Sequence, residues 1–206
     1  MNSSQAELFQ DWRKSGQCPK GTIPIRRGQQ DEHPRGRGVK WIPQLNQSID
    51  DVPHHEHATV DIEDGIFYGG RARLNKLILS VYKGDFSISQ IWVATGPDDK
   101  LNTVESGWRV NSPDRKTRFF ICWTSDGYKR RGCYNLQCPG FVQVSHKFPL
   151  GSPIQPVSRY AAQQFDIGIT IYKEDGNERK QKGQSGQMSG GGTVESYIGF
   201  GYESAF

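Results

Sequence analysis

An all-β fold, two antiparallel sheets packed face to face as a sandwich, is what the sequence predicts. Two observations lead there. Glycine is abundant, with 24 among 206 residues. The apolar residues fall in many short alternating runs rather than in long stretches of helical period. A chain of 206 residues suits one domain with an extension and is long enough to bury a sizeable core. Composition and pattern divide it into 1–53, an extension and linker, and 54–206, the sandwich domain, whose character changes again from 176.

Within the extension, 6–14 reads as one short amphipathic helix with Leu8, Phe9 and Trp12 on one side. From 28 to 53 the chain is polar, rich in Gly, Pro and charge, and reads as a linker. His54-His55-Glu56-His57 invites a metal reading, but the spacing is not His-Glu-x-x-His and the run opens a strand rather than a helix. On a strand His55 and His57 could share an ion while His54 points away. The run is read instead as a polar strand edge, with Ala58, Val60 and Ile62 pointing inward, and no metal site is expected. Strands are expected at 66–74, 77–82 and 86–94. In the last of these, Phe86, Ile88, Gln90 and Trp92 share a face. Gln90 is either a satisfied buried amide or a groove residue donating to a carbonyl oxygen. The first is preferred, because buried polar groups are ordinarily hydrogen-bonded for structural reasons.

The most informative stretch runs from 101 to 143. With 103–110 extended, Val104, Ser106, Trp108 and Val110 take one face, and Thr103, Glu105, Gly107 and Arg109 the other. The second face presents a carboxylate beside a residue without a side chain, where a substrate backbone could approach closely. Strand position alone would make Glu105 an ordinary solvated carboxylate paired with Arg109, which would lower its pKa if close. Residues 118–124 are apolar in the middle (Phe119, Phe120, Ile121, Trp123) and suit a strand covered on both sides. Cys122, among these, reads as a buried inert thiol, and whether it pairs with Cys18 stays open. Residues 164–172 alternate cleanly with Phe165, Ile167, Ile169 and Ile171 inward, 180–192 is flexible by composition, and 193–202 is the expected last strand.

These residues carry a resemblance. The run Gly132-Cys133-Tyr134-Asn135-Leu136-Gln137-Cys138-Pro139-Gly140-Phe141-Val142-Gln143 follows Trp123-Thr124-Ser125-Asp126-Gly127-Tyr128 and Glu105-Ser106-Gly107-Trp108. Together they resemble the plant neprosin family, whose named member is a secreted, proline-cleaving glutamic peptidase. The 86–92 run is similar to that family's Phe-Ser-x-Ser-Gln-Ile-Trp. Gly16 to Arg27, with Cys18 and Ile23-Pro24-Ile25-Arg26-Arg27, resembles its activation-peptide motif. The resemblance implies a disulfide between Cys133 and Cys138, an activation-peptide-like region in 1–53, and secretion. By itself the start of the chain shows no apolar core of a signal peptide and would suggest a cytosolic protein.

The implied chemistry is hydrolysis by paired glutamates at acid pH, which needs neither cofactor nor covalent nucleophile. Glu105 matches the first glutamate position. The second follows a tryptophan pair in the family, which this chain lacks: Gly176-Asn177 continues as Glu178-Arg179-Lys180-Gln181. Glu195, with Glu178 as the alternative, is the preferred second carboxylate, on a C-terminal strand with Val194, Ser196 and Ile198 on the opposite face. The expected substrate is a peptide or protein containing proline, and the expected state a monomer. The alternative is a catalytically inactive extracellular β-sandwich, a pseudo-peptidase or a module binding peptide or cell wall. A net charge of +4 with scattered basic residues argues against a nucleic-acid partner, and no apolar run approaches a membrane span.

Overall fold

Alternation of apolar and polar residues becomes eight strands among the residues that the structure, a computed structural model, describes: 14, 16–26, 55–82, 86–97, 100–111, 114–138, 140–145, 148–173 and 196–205, with backbone alone at 55–57, 63–64 and 196–205. In chain order they are β1 (His55–Gly65), β2 (Gly69–Asn75), β3 (Phe86–Thr95), β4 (Asn102–Asn111), β5 (Arg118–Thr124), β6 (Gly132–Tyr134), β7 (Asp166–Tyr172) and β8 (Ser196–Ala205). Six of them form one sheet in the order β1-β8-β3-β4-β5-β6, and β2 with β7 forms a second. Every strand pairing is antiparallel. The described residues contain no α-helix.

The two sheets enclose the main core. Ile91 and Val93 of β3 and Trp108 and Val110 of β4 meet Leu74 of β2 and Ile167, Ile169 and Ile171 of β7. Alternation along each strand selects these residues, because every second side chain points to the facing sheet. Trp108 is fully buried, and its indole Nε1 donates to the carbonyl of Asn75 at 2.8 Å, so its one polar atom is satisfied. A second cluster lies on the other face of the large sheet: Ile88, Phe120 and Cys122, with Phe86 and Tyr134 against them. The rings of Phe120 and Tyr134 stack there at 5.5 Å. β5 is thus covered on both sides, as its apolar middle requires.

Some expectations need correcting. Residues 77–82 form no strand; only Leu77 makes an isolated parallel bridge, to Ser158. The local backbone groups find partners outside a ladder: Thr117 Oγ1 donates to the Leu77 carbonyl at 2.6 Å, and the Ser158 amide to the Lys76 carbonyl at 2.6 Å. The last strand is Ser196–Ala205, later in the chain than 193–202, and it inserts between β1 and β3 rather than adding to an edge. Apart from Lys14, the 6–14 helix lies outside the described residues, as do Glu178 and Glu195.

Cys133 and Cys138 are joined in a disulfide with their Cα atoms 5.7 Å apart, while Cys18 and Cys122 are free thiols. After the disulfide, Gly140 has φ +133°, and a Cβ there would stand 2.4 Å from Cζ2 of Trp123. Only glycine lets the chain lie flat on that indole. The described part of the extension, 16–26, is held against the domain by Gln143, whose Nε2 donates to the Pro24 carbonyl at 2.8 Å.

Candidate active site around Glu105

Strand register sets the site. Glu105 of β4 stands opposite Trp92 of β3 on one side and Cys122 of β5 on the other. The row continues through Gly199 and Asp61 in one direction and Tyr134 in the other. Gly107, the next residue on that face, faces Gln90. A Cβ on Gly107 would sit 2.1 Å from the Ser89 carbonyl oxygen. The glycine therefore permits close approach of β3 to β4, which is a different reason from the substrate access read from sequence. Gln90 is half-buried on the same face.

Glu105 is 2% exposed, so the face that sequence reads as polar and open is enclosed. Two hydroxyls serve its carboxyl. Thr103 Oγ1 donates to Oε1 at 2.7 Å, and the Tyr128 hydroxyl donates to the same oxygen. The two hydroxyl oxygens are themselves 2.7 Å apart, closing a three-membered cluster.

The turn that delivers Tyr128 is fastened on all sides. Asp126 accepts from the backbone N–H groups of Lys129, Arg130 and Arg131 at 3.1, 2.9 and 2.9 Å. Thr124 Oγ1 accepts from the Tyr128 amide at 2.9 Å, and the Gly127 amide donates to the Leu101 carbonyl at 2.9 Å. Tyr128 itself has φ +60°, in the left-handed region that tyrosine rarely adopts. Such a backbone costs about 1–3 kcal/mol and persists where the surroundings fix it, commonly at functional sites.

Burial raises the pKa of Glu105 above the ordinary carboxyl range, against the hydrogen bonds from Tyr128 and Thr103, which lower it. Arg109 does not oppose the rise. It lies four residues along the strand, about 13 Å away at the strand repeat, with its guanidinium 4.4 Å over the ring of Phe86. The Tyr128 phenol is pushed far up, by burial first and by the charge of Glu105 second, so its proton stays on the phenol. Burial, and then Glu105, likewise raises the Cys122 thiol well above its usual value. The result is a carboxyl group that holds its proton at pH values where a solvated glutamate has lost it.

The sequence puts Thr103 and Glu105 on one strand face, and the fold adds Gln90, Cys122 and Tyr128. Tyr128 is 23 residues from Glu105, and neither pattern nor spacing pointed to their contact. Glu195, the preferred second carboxylate, lies outside the described residues. On β8 the register puts Gly199 in the row of Glu105, and Glu203 in the row of Ile88 and Arg109. Two strands across and four residues along, the Cα of Glu203 is about 17 Å from that of Glu105 by strand geometry. Among the described residues no cluster of His, Cys, Asp and Glu could hold a metal ion. His55 and His57 are described as backbone alone, and His54 lies outside the described residues.

Residues 83–180 match the Neprosin family model. That interval holds β3 to β7, with Glu105, both of its hydroxyl partners and the disulfide, so this segment of the chain is similar to the neprosin family.

Proposed function

We propose that the protein is a glutamic-type endopeptidase that cleaves peptides or proteins at proline under acid conditions. The observation that carries this reading is the buried Glu105 carboxyl, its pKa raised by burial and its Oε1 bound by two hydroxyls inside the family-matched segment. A perturbed carboxyl held by a strained, pinned partner is characteristic of groups that exchange protons with a substrate.

In this reading Glu105 donates its proton to the amide nitrogen as the peptide C–N bond breaks. A second carboxylate, assigned to Glu195, takes a proton from the water whose oxygen attacks the carbonyl carbon. Gln90, on the same face, supports the groove by donating to the substrate carbonyl oxygen. No cofactor enters. The protein acts as a monomer, outside the cell, after release of the 1–53 region; a disulfide at Cys133–Cys138 fits an oxidising compartment.

One observation favours the alternative, a neprosin-like β-sandwich without turnover. The described hydrogen-bond partners of Glu105 are hydroxyls, and the family match ends at 180, before Glu195. The two readings separate in one experiment. The processed protein is incubated with a proline-containing peptide at acid and near-neutral pH, beside the Glu105→Gln variant. Acid-dependent cleavage that falls roughly 10²–10⁴-fold in the variant supports the peptidase. Cleavage at wild-type rate by the variant removes Glu105 from the chemistry, and peptide binding without any turnover selects the alternative.

A further inference from the structure

Four residues beyond Glu105, the same sheet face carries a small pocket lined by Arg109, Asn111, Arg118, Tyr134, Asn135 and Gly151. Arg109 and Arg118 are cross-strand partners, which brings two guanidinium groups to this end of the face. Two of the Arg118 nitrogens are engaged: one with the Gly151 carbonyl at 2.9 Å, the other with Asp114. Its third, Nε, is buried without a hydrogen-bond partner, and so is Oδ1 of Asn111. A buried guanidinium nitrogen left in that state costs free energy that a ligand oxygen would recover. Turning the Asn111 amide by half a rotation would supply a second donor, since its O and N are assigned from the hydrogen-bond network.

Among the described residues no carboxylate lines the pocket. A further guanidinium, that of Arg26 in the 1–53 extension, stands at its rim until that region is released. Were Gly151 to carry a Cβ, the nearest atoms would be Nη1 of Arg26 and Nδ2 of Asn135, each at 3.4 Å. Room inside is at most that of one water-sized group, so only a single oxygen could enter, with the remainder of the group left in the open mouth. Arginine forks suit carboxylates because two N–H groups meet two oxygens.

We propose that this pocket is a carboxylate subsite, recognising an acidic group of the peptide substrate three to four residues from the bond being cleaved. The spacing follows from β4: Glu105 and Arg109 are separated by about 13 Å, which an extended peptide covers in about four residues. The carboxylate comes from a Glu or Asp side chain or from the free C-terminus of a short peptide. The inference rests on the peptidase reading for its position relative to the cleaved bond. The pocket's affinity for carboxylate stands without it.

The test uses the processed protein, freed of the 1–53 region, and its Arg118→Gln variant, with matched proline-containing peptides. One pair carries Glu or Gln three to four residues from the proline, on either side; another ends in a free acid or an amide. Fluorescence anisotropy gives binding, and hydrolysis gives the ratio of kcat/KM within each pair. The wild type is expected to favour the acidic member about tenfold, with the ratio falling towards one in Arg118→Gln. Because each protein is compared with itself, loss of folded material does not mimic this result. Preference confined to the Glu peptide places the subsite on side chains; preference confined to the free acid places it on the terminus. Equal binding of both members by the wild type, or an acid preference unchanged in the variant, overturns the proposal. If no peptide is cleaved, the peptidase reading fails and anisotropy alone decides the subsite.

Discussion

Both faces of the large sheet are buried, one mainly by apolar side chains and the other by an apolar cluster that also takes in a carboxyl and a thiol. On β4, Trp108 is 0% exposed and Glu105 2%, three positions apart on opposite sides. Towards β2 and β7 the burial is apolar, with Ile91, Val93 and Val110 around Trp108. On the other side the chain buries a carboxyl and a free thiol at Cys122, beside a half-buried tyrosine on a left-handed backbone. A sequence serving stability alone would have no use for the second arrangement, because an enclosed carboxyl is unfavourable in its charged form. One face packs the two sheets together, and on the other, burial raises the proton affinity of Glu105.

The largest break in that comparison comes from the apolar side. Trp108→Ala is expected to destabilise the fold by about 3–5 kcal/mol, because it opens a cavity between the sheets and leaves the Asn75 carbonyl without its donor. Denaturant titration of both proteins checks it. A loss as small as that of an exposed residue would mean that β2 and β7 do not rely on this contact.

A smaller effect is expected on the other face, and it lies in chemistry rather than folding. Tyr128→Phe keeps the ring but removes a hydrogen bond that lowers the pKa of Glu105. The Glu105 limb of the pH–rate profile should therefore move to higher pH, and kcat should change by about tenfold, the worth of one charge-assisted hydrogen bond. Thr103→Val, lacking the second donor, should move the limb in the same direction. A limb that stays in place would reduce Tyr128 to a structural role.

The contrast also explains what could be read in the sequence. Period-two alternation assigns Trp108 and Val110, and likewise Ile167, Ile169 and Ile171, to the inner face, since apolar burial is a local property of a strand. Glu105 was found through the motif around it, as its strand position alone suggested a solvated residue. Tyr128 escaped because a hydroxyl reaching a carboxyl 23 residues away depends on turn geometry fixed by Asp126 and Thr124, and periodicity carries none of that. At Gly107 the close backbone neighbour is β3, a fact that only pairing register reveals. The 77–82 run looks like a strand by composition, yet its Leu77 carbonyl is claimed by the Thr117 side chain.

The subtlest signal is the pH dependence of stability, and its sign is fixed by the direction of the Glu105 shift. The folded state holds the Glu105 proton more tightly than the unfolded chain does. Between the unfolded and folded pKa values the native protein binds more protons, so stability from this group declines as pH rises. Asp114 acts in reverse. Burial would raise it, but the hydrogen bond from Arg118 and the Lys116 amide prevail and lower its pKa, so its contribution is lost as pH falls. Asp126 follows the same course, its slight burial outweighed by three backbone N–H donors. The wild-type curve mixes these opposing trends, and the difference from Glu105→Gln isolates one of them. Wild type minus variant should fall with rising pH from about pH 4.3, the unfolded glutamate value, at no more than about 1.4 kcal/mol per pH unit. It should level off above the folded pKa. A difference that rises with pH would mean that Glu105 is held as a carboxylate, and the face opposite Trp108 would then stabilise charge instead of storing a proton.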